Sequence, residues 1–153
     1  MSKYLDDLKP EVAQKARDLI AGMDTLGDRV VVTSTLRTDI EQLAMYAQGR
    51  AQLDVVNALR MICGLPSLPK AENGYTISNC DGQTNHSKHQ AGEAFDVVLL
   101  AKDGKPIWKI NGDAERYKTL GALAKAQGLK WGGDFEPINP VTGLGFDPFH
   151  CEI

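Results

Sequence analysis

The segment over residues 94–100, Ala-Phe-Asp-Val-Val-Leu-Leu, is the clearest strand in the sequence and constrains the fold around it. Apolar side chains occupy both alternating faces, so the strand is expected to be buried. Asp96 is the single charged residue within it. Burying an ionised carboxylate costs several kcal/mol unless a cation or hydrogen-bond donors compensate. The fold must therefore bring a compensating group, such as an arginine, backbone N–H groups or another cation, to Asp96.

The other predicted elements alternate helices with short strands. Pro10 at a first-turn position starts a helix, and Thr38 and Glu41 have the spacing of a capping box. In chain order we predict a helix over 10–21, a strand over 29–36, helices over 39–49 and 52–63, a loop over 66–86, a hairpin turn at 103–104, a helix over 113–127, and strands over 129–131 and 149–153. Because hairpins or loops join the later strands, we expect an α+β fold with a small, mostly antiparallel sheet and flanking helices.

Length and composition limit the classes of function that remain. The 153 residues fit a single domain, 1–153, and 17 Lys+Arg against 20 Asp+Glu give a net charge of −3, which argues against nucleic-acid binding. Three cysteines, an odd and sparse set, indicate reduced thiols. The N-terminal segment has no apolar stretch long enough for a signal peptide, and the longest apolar run, 97–101, is far too short for membrane insertion.

Two histidines and a second aspartate offer Asp96 a partner of another kind. His89 lies seven residues before Asp96, and Asp147 lies three residues before His150. Two imidazoles and one carboxylate from different segments form a three-ligand set that leaves zinc's fourth position to water. Asp147 would then stand beside the metal as a general base. From the residues alone the alternatives stay open, since an arginine can satisfy Asp96 and single histidines are usually core or surface residues.

Several neighbouring residues have less specific interpretations. Cys151 adjoins His150 on the opposite strand face and is interpreted as a buried thiol. Glu152 shares the face of His150, where it either orients that imidazole or forms part of a solvated rim. Trp108 and Trp131 are expected to anchor the core.

Two motifs carry a family resemblance. They read Ser87-x-His89-x-x-Gly92-x-Ala94-x-Asp96 and Asp147-x-x-His150. Together they resemble the signature of the zinc D-Ala-D-Ala peptidases and their relatives. The most similar branch is that of the bacteriophage endolysin L-alanyl-D-glutamate endopeptidases, through an Arg…Gln…Tyr…Gln-Gly-Arg stretch and a Trp-Gly-Gly-Asp turn. The matching residues are Arg37, Gln42, Tyr46, 48–50 and 131–135, and the resemblance covers residues 19–153.

The resemblance implies a zinc site at the cleft of the sheet. His89, Asp96 and His150 would bind Zn²⁺, and Asp147 would be the general base. Arg37 would stabilise the developing oxyanion or hold a substrate carboxylate.

It also implies supporting roles for residues around that site. Gln42 and Ser87 would contribute to substrate binding, with capping of the ligand loop as the alternative for Ser87. Gly92 would let that loop approach the metal closely. The segment 51–71 is longer than in compact endolysins, and we interpret it either as a helix lining the cleft or as a surface elaboration.

The implied activity is hydrolysis of the peptidoglycan stem peptide, at the L-Ala–D-Glu bond, by a phage endolysin during host-cell lysis. Aspartate rather than glutamate at position 147 favours the endopeptidases over the D,D-carboxypeptidase and dipeptidase branches, which act on D-Ala-D-Ala ends. A non-catalytic, zinc-stabilised cell-wall-binding domain is the other alternative. The enzyme would be a monomer held in the host cytoplasm until a holin releases it to the periplasm and cell wall. Because the net charge of −3 gives no general attraction to acidic stems, recognition would be local, through Zn²⁺, Arg37 and Arg50.

Overall fold

A four-stranded antiparallel sheet lies at the centre of the protein, for which a computed structural model describes residues 1–110 and 112–153. The strands have the spatial order β1-β2-β4-β3, and each neighbouring pair is antiparallel. Their bounds are β1 (Val30–Ser34), β2 (Ala94–Leu99), β3 (Lys130–Trp131) and β4 (His150–Glu152). With helices flanking this sheet, the predicted α+β class is confirmed.

The helices lie close to their predicted positions. They are α1 (Pro10–Thr25), α2 (Asp39–Ala47), α3 (Leu53–Ile62) and α4 (Ala114–Ala126). The capping box of α2 is confirmed: the Thr38 hydroxyl accepts the Glu41 N–H at 3.4 Å, and the Glu41 carboxylate accepts the Thr38 N–H at 2.9 Å. The first helix continues past the predicted end at residue 21, because the chain first turns out of the helix at Gly27, where φ is +83°.

The two sides of β2 lie in different surroundings. Phe95, Val97 and Leu99 are fully buried in the main core between the sheet, α1 and α4. Asp96 lies on the opposite face and is paired in register with Ser34 of β1 and His150 of β4. The strand therefore supplies core residues on one side and a carboxylate on the other. The remaining core residues include Val12, Ala16, Leu19 and Met23 of α1, Tyr117, Leu120 and Ala124 of α4, and Trp131, Leu144 and Cys151.

The segment 51–71 forms a small packed unit against α2. Val56 of α3 is fully buried with Ala47 and Leu68 in a second apolar cluster. The Asn57 side chain accepts the Leu68 N–H at 2.7 Å and donates to the Leu68 carbonyl at 3.3 Å, so it fixes the loop that returns from α3. This packing favours the surface elaboration over a helix that lines the cleft.

The two tryptophans occupy different environments. Trp131 lies between two glycines, where a Cβ at Gly121 or Gly133 would come within 2.2 or 2.1 Å of the indole. Its Nε1 donates to the Pro148 carbonyl at 2.9 Å, and its role as a core anchor is confirmed. The prediction for Trp108 is wrong, because this side chain is 56% exposed. The hairpin that carries it is reduced to one bridge at Pro106, whose missing N–H cannot extend the ladder.

Two further sequence expectations concern the membrane and the thiols. Within the described ranges, no helix combines the length and apolarity needed to cross a bilayer. Cys63, Cys80 and Cys151 form no disulfides, as predicted, and Cys151 is fully buried.

Candidate metal centre

Three side chains converge on the polar face of β2. His89 Nε2 lies 3.3 Å from His150 Nδ1 and 3.4 Å from Asp96 Oδ1. The third side of this triangle, from His150 Nδ1 to Asp96 Oδ1, measures 3.1 Å. The structure thus brings together the three residues predicted as ligands, and among the described residues these form the group that could hold a metal ion.

Backbone contacts fix the direction of the His89 ring. Its Nδ1 lies 2.7 Å from the Thr35 carbonyl, which can only accept a hydrogen bond, so Nδ1 carries the proton and Nε2 presents its lone pair. The Ser87 hydroxyl accepts the His89 N–H at 3.3 Å at the start of the same turn. The cap expected of Ser87 is therefore present, while Thr35 was missed because a backbone carbonyl leaves no residue-type signal in the sequence.

A carboxylate fixes the direction of the His150 ring. Its Nε2 lies 3.1 Å from Glu152 Oε2, two residues along the same face of β4, so Nδ1 turns towards Asp96 and His89. Glu152 also lies 3.8 Å from Lys130 of β3. Of the two interpretations that the sequence left open for Glu152, orientation of the ligand imidazole is the one observed.

The donor atoms have a spacing that suits zinc. Zn–N and Zn–O bonds of about 2.0–2.1 Å place neighbouring donors of a tetrahedron about 3.3–3.4 Å apart. The observed separations of 3.1, 3.3 and 3.4 Å agree with that edge length. Two imidazole nitrogens and one carboxylate oxygen are also a donor set that zinc prefers. The residues present therefore fit this ion.

The converging groups perturb one another strongly. Burial opposes charge on His150, but hydrogen bonds with Asp96 and Glu152 raise its pKa to about 10. Burial likewise opposes charge on Asp96, yet the two imidazoles hold the pKa of its carboxyl well below the usual range. The site thus stabilises a buried anion with positive charge, as the sequence of β2 required.

Asp147 lies beside the donor set without belonging to it. Burial and the charge of Asp96 raise the pKa of Asp147 to about 6, although His150 and Arg37 oppose the shift. Its carbonyl accepts the His150 N–H at 3.1 Å, and the close approach of Gly132 leaves no room for a side chain there, since a Cβ would lie 2.2 Å from the same carbonyl. A carboxyl with a pKa near neutrality is suited to general-base chemistry.

Arg37 supplies a buried positive charge next to the donor set. Its Nη2 lies 3.7 Å from Asp96 Oδ2, and its Nη1 donates to Gln42 Oε1 at 2.8 Å. The buried Nε has no hydrogen-bond partner among the described residues. Burial lowers the pKa of this guanidinium, and the charges of Asp96, Glu41 and Asp147 partly restore it.

Gln42 lies behind Arg37 and has no exposed surface. Besides accepting from Arg37, its amide donates to the Ser78 hydroxyl at 2.8 Å and to the Cys80 carbonyl at 2.6 Å. In this position the side chain supports the guanidinium.

One expectation about the ligand loop is wrong. Gly92 has φ of +67° but faces the N-terminal segment, where its carbonyl accepts the Lys9 N–H at 3.0 Å and a Cβ would lie 3.3 Å from the Lys9 nitrogen. The close approach that requires glycine is therefore to residues 7–9, away from the metal ligands.

The sequence of this chain is similar to those of known peptidases. Residues 81–152 match the M15 peptidase family model described as D-alanyl-D-alanine carboxypeptidase. The peptidoglycan L-alanyl-D-glutamate endopeptidase CwlK of Bacillus subtilis (strain 168) is 30% identical over 147 residues, which cover 93% of this chain and 75% of CwlK.

Solved structures show the same fold. The E175A mutant of the vancomycin-resistance D,D-pentapeptidase VanY, in complex with Zn(II), superposes with a TM-score of 0.57 at 19% identity, over 95% of this chain and 71% of VanY. The Serratia marcescens L-Ala D-Glu endopeptidase ChiX gives 0.53 at 17% identity, over 97% of this chain and 82% of ChiX.

Proposed function

The chain belongs to the M15 family of zinc peptidases, and on that basis we propose that it hydrolyses the L-Ala–D-Glu bond of the peptidoglycan stem peptide. The observation that carries the proposal is the convergence of His89, Asp96 and His150, with the carboxyl of Asp147 beside them. The choice of bond is supported by CwlK, whose name specifies this linkage and which aligns with 93% of the chain.

We assign the metal to His89 Nε2, His150 Nδ1 and Asp96. Zinc held by such a set supplies Lewis acidity and lowers the pKa of a bound water towards neutrality. Thr35 and Glu152 keep the two rings in the orientation that this binding needs.

We assign the proton transfers to Asp147. Its carboxylate takes a proton from the attacking water and later gives it to the amine of the departing residue. Burial and the charge of Asp96 keep this carboxyl basic enough to accept a proton, while a bound dication would hold it ionised at neutral pH. Its place on the segment that runs into β4 fixes its distance from His150.

Arg37 is proposed to bind negative charge in the substrate. Its guanidinium is held by Gln42 and Ser34, and its backbone N–H donates to the His89 carbonyl at 3.2 Å, so both charge and position are fixed before substrate arrives. Such a group stabilises a developing oxyanion or pairs with the D-Glu carboxylate. Two substrates distinguish these roles, one with the D-Glu carboxylate and one in which a neutral amide replaces it. A lower kcat of Arg37→Met on both substrates would indicate contact with the oxyanion, and a higher KM for the acidic substrate would indicate contact with the carboxylate.

The biological role that we propose is that of a phage endolysin acting as a monomeric single domain. The Arg37…Gln42…Tyr46 pattern and the aspartate at position 147 support this branch. Residues 2 and 153 both pair with the sheet region, since the Thr35 N–H donates to the Ser2 carbonyl at 2.9 Å and the Ile153 N–H to the Glu93 carbonyl at 3.1 Å. The protein would wait in the host cytoplasm until a holin gives access to the periplasm and cell wall. Bacteria expressing it should lose turbidity only after the inner membrane is permeabilised.

Digestion of purified peptidoglycan tests the activity. The zinc-loaded protein is expected to release new amino termini on D-Glu, identified by mass spectrometry of the muropeptides. Asp147→Asn should abolish this release while zinc content stays near one per chain. Release of D-alanine instead would assign the carboxypeptidase activity, and binding without any cleavage would assign a wall-binding domain.

A further inference from the structure

An open groove of about 650 Å³ borders the segment that carries Asp147. Three aromatic side chains line it, Trp108, Phe146 and Phe149, together with the aliphatic side chains of Ile138 and Leu144. None of the described residues that line it carries a charge. This distinguishes the groove from the metal centre, where charged groups meet.

The groove's largest side chain is rigidly supported although it is exposed. Trp108, 56% exposed, meets the Phe149 ring edge-to-face at 5.6 Å, and Phe149 in turn meets the buried Tyr117 ring at 5.4 Å. Phe146 is 57% exposed and packs on Phe135 at 6.0 Å. Large apolar faces that are both ordered and solvated are characteristic of binding surfaces.

Residues that line the groove adjoin the site proposed above. Phe146 and Pro148, which line it, are the immediate neighbours of Asp147. The Phe135 ring that supports Phe146 lies 6.1 Å from the His150 ring. The rings of Phe146, Phe135 and His150 thus lead from the groove towards the candidate donor set.

We propose that this groove binds the uncharged N-acetylated sugar to which the stem peptide is attached, an inference that rests on the proposed function. The two sides of the scissile bond differ in charge: D-Glu and the diamino acid that follow it are ionised, whereas only L-Ala and a lactyl ether separate it from the sugar. An uncharged, aromatic groove matches the sugar side. Two residue lengths, about 7 Å, separate the scissile bond from this sugar.

Paired substrates test this assignment. One is the free stem tripeptide, and the other is the same peptide carrying its N-acetylmuramyl sugar. Trp108→Ala is expected to raise KM for the sugar-bearing peptide about tenfold and to leave kcat/KM for the free peptide unchanged. Trp108→Phe should restore most of the affinity, and Tyr4→Ala, which removes another exposed aromatic ring, should change neither value.

The remaining outcomes overturn the proposal in distinct ways. If Trp108→Ala lowers kcat/KM equally for both substrates at an unchanged melting temperature, Trp108 belongs to the peptide-binding site. If it lowers kcat/KM for neither, the groove does not bind substrate. A dimer in the wild type that Trp108→Ala dissociates would assign the groove to a second copy of the chain. If the wild type cleaves neither substrate, the proposed function itself fails, which is distinguishable from failure of the groove assignment alone.

Discussion

Replacing Asp147 with asparagine should stabilise the metal-free protein at neutral pH. The folded state raises the pKa of this carboxyl from 3.8 to about 6, so ionised Asp147 is disfavoured in the fold. The folded state holds the proton more tightly than the unfolded chain. The free energy of unfolding therefore falls as the pH rises from 3.8 to about 6. An amide has no charge to bury and escapes this loss.

The expected gain follows from the size of the shift. A shift of roughly two units at 1.36 kcal/mol each gives about 3 kcal/mol at pH 7, an upper value because the carboxyl is partly exposed. In a domain of this length, it corresponds to a rise in melting temperature on the order of 6–12 °C. A bound dication would favour the carboxylate, so the gain should shrink in the zinc-loaded protein.

Urea unfolding with a chelator present, at pH 7 and at pH 3.5, measures the effect. Asp147→Asn should raise the unfolding free energy at pH 7 and come within about 0.5 kcal/mol of the wild type at pH 3.5, where the carboxyl is mostly protonated in both states. Asp24→Asn, at an exposed position in the last turn of α1, is the matched control and should change the value by less than about 0.5 kcal/mol. No gain at pH 7, or an equal gain at both pH values, would refute the argument from ionisation.

Two further predictions concern the support of the site and the core. Glu152→Ala should weaken zinc binding about 10–100-fold in a chelator competition, because His150 loses the partner that directs its ring, whereas the exposed Glu115→Ala should have no effect. Tyr117→Phe should lower the unfolding free energy by about 2–4 kcal/mol in urea, because the hydroxyl that accepts the Leu99 N–H and donates to the Ile107 carbonyl is lost. The folded state raises the pKa of Tyr117 to about 12, so wild-type stability should decline between pH 10 and 12, and this decline should disappear in the variant.

Patterns that depend on local chemistry were predictable from the sequence. The apolar pattern of β2 predicted both a buried strand and a carboxylate that required a partner. The Thr38–Glu41 spacing predicted the start of α2, because a capping box is formed within four consecutive residues. Two short motifs selected His89, Asp96 and His150 as candidate ligands, and the structure brings their donor atoms within 4.8 Å of one another.

Features that depend on distant backbone were not predictable. The Thr35 carbonyl that orients His89 lies 54 residues away, and any residue type could supply it. The glycine at position 92 correctly indicated that another part of the chain packs closely there. The sequence did not show that this part is the N-terminal segment around Lys9. Trp108 was expected inside because of its size, yet the single bridge at Pro106 leaves it on the surface.

The position of β4 affects when the protein acquires its metal. The donor set spans 61 residues, from His89 to His150, and its last member lies on a strand inserted between β2 and β3. During synthesis, α1, β1 and β2 leave the ribosome before β4 does. A nascent chain that has emerged only as far as β2 presents His89 and Asp96 without His150. With the ligands proposed here, metal loading and hydrolysis would therefore be deferred until translation has passed residue 150.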